Sequence, residues 1–308
     1  MRNILAALVM MPVIMPALVL AFTSGAFADD GLQRFEREIK PQFEVEKLSY
    51  RSGEPLGDNG FALNDVVVVV PPTEETDNQP STVRIDKVTV EAIDFERLKS
   101  DDDDLPRFLK MRMEGITGDD VATKPLTDYG LPKVPIDLAI DYTLDASAKR
   151  LTLNRLDVSL RGRGSVSLAL VMDGVTGKAS EVDDAKESGR VQSASLTIDD
   201  KGLLAQVLTV NARAAGSTPE SLVTMALSII AGLSTEQDAQ SMKAFDAAAS
   251  FVKDWQAPQG PITIEVTPAA GASMADLPAL MMPNALRKKL GLEVTYPGTK
   301  PGAASANK

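Results

Sequence analysis

The sequence predicts an α+β fold: a twisted antiparallel β-sheet, or meander, covered by a C-terminal helical hairpin. Three observations predict it. Apolar residues alternate at period two through most of residues 43–199. Three consecutive alternating runs within residues 134–173 are joined by connections too short for a crossover helix, so neighbouring strands must be antiparallel. After Asp200-Lys201-Gly202 the apolar period changes to that of a helix, and two successive segments carry an apolar stripe. Residues 29–200 form the β-rich region, and residues 201–296 the helical hairpin with returning strands. The two are read as one domain, because the apolar sheet face needs a cover and the helical stripe supplies one.

The chain opens with a secretory signal. Arg2 provides a positive start, residues 4–22 are apolar, and Ala26-Phe27-Ala28 is a small-x-small cleavage site before Asp29-Asp30. The apolar run is long for such a signal, but Pro12 and Pro16 interrupt a spanning helix and no basic stop-transfer cluster follows. Residues 1–28 are therefore read as cleaved, leaving no integral membrane span. The expected location is the periplasm of a Gram-negative cell. Residues 297–308 are polar and small and read as a disordered tail.

The elements follow in order. Residues 43–50 read as a strand, and residues 61–70 as a second whose five valines, Val66 to Val70, suit burial on both faces. Pro71-Pro72 ends it, and a polar loop over residues 73–81 follows. Residues 83–93 alternate with a slip at Asp86-Lys87 that predicts a bulge, and residues 94–98 read as a helical turn. Residues 108–115 set Leu109, Met111 and Met113 against Lys110, Arg112 and Glu114. In the meander, Ile136, Leu138, Ile140, Tyr142 and Leu144 oppose Asp137, Asp141 and Asp145. Leu151 and Leu153, then Leu156, Val158 and Leu160, return with one slip, and Val166, Leu168, Leu170 and Met172 form the third strand. Residues 177–189 are charged and nearly free of core positions, a loop or loose helix. Residues 191–199 are one more strand.

Residues 203–215 predict a helix stopped at Gly216. Thr218 is the N-cap of the next, with Pro219 at its first position and a stripe of Leu222, Met225, Ala226, Ile229, Ile230 and Leu233. Ser234 with Gln237 reads as a capping box for a third helix, striped by Met242, Phe245, Ala249 and Val252. Residues 261–267 form a strand, residues 274–290 a helix interrupted at Pro283, and Leu292, Val294 and Tyr296 a last strand.

Composition excludes much chemistry. The chain has no cysteine and no histidine. Disulfides, acylation at a lipobox cysteine, thiol nucleophiles, iron–sulfur clusters, His/Cys zinc sites and Ser-His-Asp triads are all excluded. The net charge of −11 becomes −12 when residues 1–28, with one arginine and no acid, are removed. That balance argues against a nucleic-acid partner and against anionic lipid surfaces.

Each residual candidate has an ordinary structural explanation. Asp101 to Asp104 lacks the spacing of a calcium loop and reads as a solvated turn. Asp137, Asp141 and Asp145 share a strand face but stand about 13 Å apart at i and i+4, too far for a paired acid and base. Ser250 and Lys253 match S-x-x-K without the companion motifs of Ser-Lys acylases. Arg161-Gly162-Arg163-Gly164 is explained by a hairpin turn, and Arg287-Lys288-Lys289 by a helix C-terminus. No catalytic, cofactor or metal residue is assigned. The stronger candidate is an apolar ligand or packing surface made by Leu168, Met225, Ile229, Ile230, Phe245 and Val252.

Two segments carry a resemblance. Pro135-Ile136-Asp137-Leu138-Ala139-Ile140-Asp141-Tyr142, with Leu151-Thr152-Leu153 and Val166-Ser167-Leu168, resembles a β-repeat of uncharacterised exported alphaproteobacterial proteins. Ala194-Ser195-Leu196 through the helices to Ile262-Thr263-Ile264 and Gly291-Leu292-Glu293-Val294 resembles the module that follows it there. The strand grammar is also similar to that of AsmA-like envelope proteins, which implies a sheet scaffold and lipid traffic. The expected function is a non-enzymatic envelope protein binding a lipid-like apolar ligand or another envelope protein. The alternatives are a carboxylate-based hydrolase of envelope polysaccharide, which needs two nearby acids with one in an apolar setting, and a purely structural subunit.

Overall fold

The computed structural model describes residues 29–73, 78–98, 104–128, 130–181, 189–235, 239–273 and 290–297. The expected signal (1–28), most of the helix expected over 274–290 and all but the first residue of the tail lie outside these. In chain order the described elements begin with α1 (Gly31–Arg34), which runs on through a π-helical turn, Phe35–Ile39, and a 3-10 turn, Lys40–Gln42. Then come β1 (Lys47–Ser49), β2 (Ser52–Pro55), β3 (Phe61–Val70), β4 (Ser81–Ile93), α2 (Phe95–Leu98), β5 (Phe108–Gly118) and α3 (Asp120–Asp128). The centre is β6 (Ile136–Asp145), β7 (Arg150–Leu160), β8 (Gly164–Asp173) and β9 (Arg190–Asp200). The chain continues with α4 (Leu203–Ala214), α5 (Pro219–Ser234), α6 (Ala239–Lys253), β10 (Ile262–Val266), β11 (Ala272–Ser273) and β12 (Glu293–Thr295).

All twelve strands join one antiparallel sheet in the order β1-β3-β4-β5-β6-β7-β8-β9-β10-β12, with β2 on β3 and β11 on β9. The expected β6–β8 meander is its centre. Register aligns the apolar alternation from strand to strand. One row runs Phe61, Val90, Met111, Ile140, Leu156, Leu168, Leu196, Ile264, Val294. The row beside it runs Leu63, Val88, Met113, Leu138, Val158, Val166, Ile198, Ile262. One sheet face is thus apolar across eight or more strands, and the other carries the intervening polar residues.

The predicted slip in β4 has a structural counterpart. Leu63 and Val66, Ile85 and Val88, and Met113 and Ile116 each face the same side three residues apart. An extra residue sits in each strand, Asp65 and Gly115 adopting positive φ. The offset ends at β6, where register shifts between Met113 and Ile116. Glycine suits position 115, where φ is +67° and an added Cβ would have to displace the Asp86 carboxylate. The registered bulge in β4 itself lies between Val90 and Ala92. Another extra residue, between Leu153 and Leu156, is the slip expected in the return strand.

The described helix ends around α4 and α5 follow the capping rules. The Asp200 carboxylate accepts from the amides of Leu203 and Leu204 at the start of α4. Gly216 is left-handed after α4, and the Thr218 hydroxyl accepts from Ser221 N. Ser234 ends α5, donating to the Ala231 carbonyl, and its expected capping partner Gln237 lies outside the described residues.

The core sits at the two ends of the sheet. Phe35, Phe61, Leu63, Val66, Ile85, Val88, Val90 and Phe95 are buried beneath the N-terminal helical turns, with Phe35 stacked on Phe61 at 4.4 Å. This cover comes from a segment with no helical expectation and ends at Gln42; of the expected strand over 43–50 only Lys47–Ser49 is paired, as β1. At the far end Ala247 and Phe251 of α6 pack with Ile262, Tyr296, Ile198 and Val294. Leu144 and Val175 form a small third cluster. Of the valine run only Val66 is buried, and Val67 to Val70 are half-buried rather than covered on both faces. The helical cover also differs from expectation: α6 packs on β10 and β12, not on the meander, and α5 packs between α4 and α6. No described helix is long and apolar enough to cross a membrane.

Candidate functional site

Between the covered ends, the apolar face is left open by the described elements. Leu138 and Ile140 on β6, Leu153, Leu156 and Val158 on β7, Val166, Leu168 and Leu170 on β8 and Leu196 on β9 are all half-buried, and none belongs to a buried cluster. The nine side chains are contiguous, because register sets Leu138 beside Val158, Ile140 beside Leu156, Leu153 beside Leu170 and Leu168 beside Leu196. Three strand spacings of about 4.8 Å make this patch roughly 14 Å wide. It carries no polar side chain, since the bulges keep every aspartate of the meander on the reverse face.

The six residues expected to share one apolar surface fall in different places. Leu168 lies at the middle of the open patch. Phe245 packs with Ala272, Leu290, Val266 and Leu292 at the β10 end. Val252 and Ile230 are half-buried on α6 and α5. Met225 and Ile229 face outward, 57% and 48% exposed. Met242 and Val210 are exposed as well, so the helices carry an apolar surface of their own. The remaining open-patch residues were legible as an apolar strand face. Their lack of a cover was not, because it depends on where α4–α6 pack.

On the reverse face the acids are taken up by structure. Asp137 accepts from the Gly115 amide at 2.7 Å and from the Arg161 guanidinium at 2.7–3.1 Å, and Arg161 also reaches Asp86. The Arg161 hydrogen bonds hold the Asp137 carboxyl below the usual range. Asp141 accepts from Asn154, and Asp145 closes the β6–β7 turn by accepting from Ser147 and Ala148, which also lowers it. The most buried acid, Asp94, is 2% exposed and bound through both oxygens by Arg107 at 2.6 and 2.8 Å, which lowers its pKa. The carboxyls of Glu36, Asp94, Asp120, Asp137, Asp145 and Asp173 are held below the usual range, the reverse of what a proton-donating acid needs.

The other candidates have structural partners or no chemistry. Asp104 pairs with Lys178 at 2.6 Å, and Asp101 to Asp103 lie outside the described residues. Arg161 of the expected glycine turn is spent on Asp137 and Asp86. Among the described residues no hydrogen bond joins Ser250 to Lys253, and no group of three acids is placed to hold a metal ion. Arg287, Lys288 and Lys289 lie outside the described residues. The Asp200 cap leaves one buried oxygen, Oδ2, without a hydrogen-bond partner.

A family model described as an uncharacterized protein matches residues 157–297, from within β7 through β12. It takes in three strands of the open patch and all of α4–α6. A search of curated proteins finds no match.

Proposed function

We propose that this chain is an exported, periplasmic, non-enzymatic envelope protein that holds an acyl-chain ligand against the open apolar patch of β6–β9. The observation that carries the reading is the patch itself: nine contiguous apolar side chains, half-buried, between two sheet ends that do have helical covers. Contiguous apolar surface of this kind marks a binding surface on a soluble protein. An acyl chain suits it, because the rows through Leu138 and Ile140 offer no hydrogen-bonding group on the apolar side and run continuously across strands. The hydrolase alternative requires an acid raised by an apolar setting, and the described carboxylates with shifted titration are all lowered. A protein partner is favoured by a separate observation, the outward Met225, Ile229 and Met242 on α5 and α6.

The test is titration with a fluorescent fatty acid, cis-parinaric acid, read by its emission. Saturable binding is expected, lost in Leu168→Asp and retained in Met225→Ser, with far-UV circular dichroism confirming the fold of each variant. Binding lost in Met225→Ser and kept in Leu168→Asp would move the site to the helices.

A further inference from the structure

The reverse face of the sheet, away from the apolar rows, carries a dent of about 270 Å3. Register explains it. Ala139 lies between Arg112 on β5 and Asp157 on β7, and Ser167 continues the row on β8. In the row beside it, Asp137 is followed by Ser159 and Ser165. Short side chains make the floor, and the longer Arg112, Arg155, Asp137 and Asp157 make the walls.

The negative charges of the dent are spent. Asp137 is saturated by Arg161 and the Gly115 amide, and Asp157 is paired with Arg155. Among the described residues, Arg112 makes no ion pair or hydrogen bond with its side chain, and neither do the hydroxyls of Ser159, Ser165 and Ser167. Among the described residues the guanidinium of the lining that is left without a carboxylate partner is that of Arg112, with three free hydroxyl donors across a floor of small residues. A guanidinium fork matches the two oxygens of a carboxylate or phosphate, and charge-assisted bonds of this type are the strong ones.

We propose that this dent binds a small ligand bearing an oxyanion group, with Arg112 as the bidentate donor to that group and Ser159, Ser165 and Ser167, two and three strands away, donating to the rest of the ligand. Its volume lies below the roughly 300–1,000 Å3 of drug-sized pockets, so the ligand is about one sugar ring with its charged substituent. The site does not depend on the acyl-chain reading, since Arg112 lies between Met111 and Met113 and points to the other face.

The experiment is an NMR titration of 15N-labelled protein at constant ionic strength with glucuronate, glucose 1-phosphate and glucose. Saturable shifts of the Arg112 side-chain Nε–H and of the Ser159, Ser165 and Ser167 amides are expected with an anion and not with glucose. The anion that binds more tightly identifies the group as carboxylate or phosphate. Arg112→Gln is expected to weaken binding about tenfold or more, with Arg112→Lys in between and other resonances unmoved. Absence of a saturable shift with both anions, equal binding by Arg112→Gln, or an equal response to glucose would each overturn the proposal.

Discussion

Among single residues, Asp94 combines deep burial with three hydrogen bonds from one partner, Arg107. Its carboxylate is buried, holds the Arg107 side chain through both oxygens and accepts from the Arg107 amide at 3.0 Å. Arg107 hydrogen bonding lowers its pKa against the cost of burial. A depressed folded pKa means stability present above the unfolded value of about 3.9 and lost as pH falls through the folded one. Asp94→Asn is expected to cost about 2 kcal/mol at pH 7, the half-exposed Arg107 moderating the loss. The gap to the parent protein should narrow below about pH 4, as both carboxyl states converge on neutrality. Chemical denaturation at pH 7 and pH 3 measures both. The neighbouring Tyr142 is pushed up to about 12 by burial and then by the Asp94 charge, so its hydroxyl stays protonated throughout that range.

Among the elements, the same apolar residue type does different work along one sheet. Leu63 on β3 lies in the N-terminal core at 3% exposure, while Leu168 on β8 occupies the open patch. In ligand-free protein Leu63→Ala should cost about 3 kcal/mol and Leu168→Ala only about 1, because truncation under a cover leaves a cavity and truncation on an open face does not. Equal costs in urea denaturation would show that the patch is covered. The strands themselves were largely legible from alternation. β3 to β9 begin and end near their predicted bounds, and Thr218, Pro219 and Gly216 mark the α4–α5 boundary as expected. The N-terminal helical turns were not legible, for Gly31 to Gln42 hold few apolar positions and gain their order from packing on Phe61. There Gly31 approaches Gly60 so closely that a Cβ would lie 2.1 Å from its carbonyl oxygen. The β10 and β12 pairing with α6 was equally hidden, because strand order is a property of contacts and not of periodicity.

At the scale of the whole molecule, the described residues form one antiparallel sheet with covered ends, an apolar middle and a polar reverse face dimpled beside Arg112. In this arrangement the six residues read from the sequence as one apolar surface stand apart: Leu168 lies on the open strand face with Ile140, Leu156, Val158 and Leu170, and the other five lie on α5 and α6. The arrangement also separates two binding readings physically, since mutations on β7 at Leu156 and at Ser159 act on opposite faces.

The acyl-chain reading is tested most directly by native mass spectrometry of the protein purified from the periplasm without detergent. The account predicts a mass above that of the chain, with the excess released on denaturation as a molecule bearing an acyl chain. A bare monomer mass would contradict it, and a dimer mass without released lipid would make the open patch an interface between copies instead.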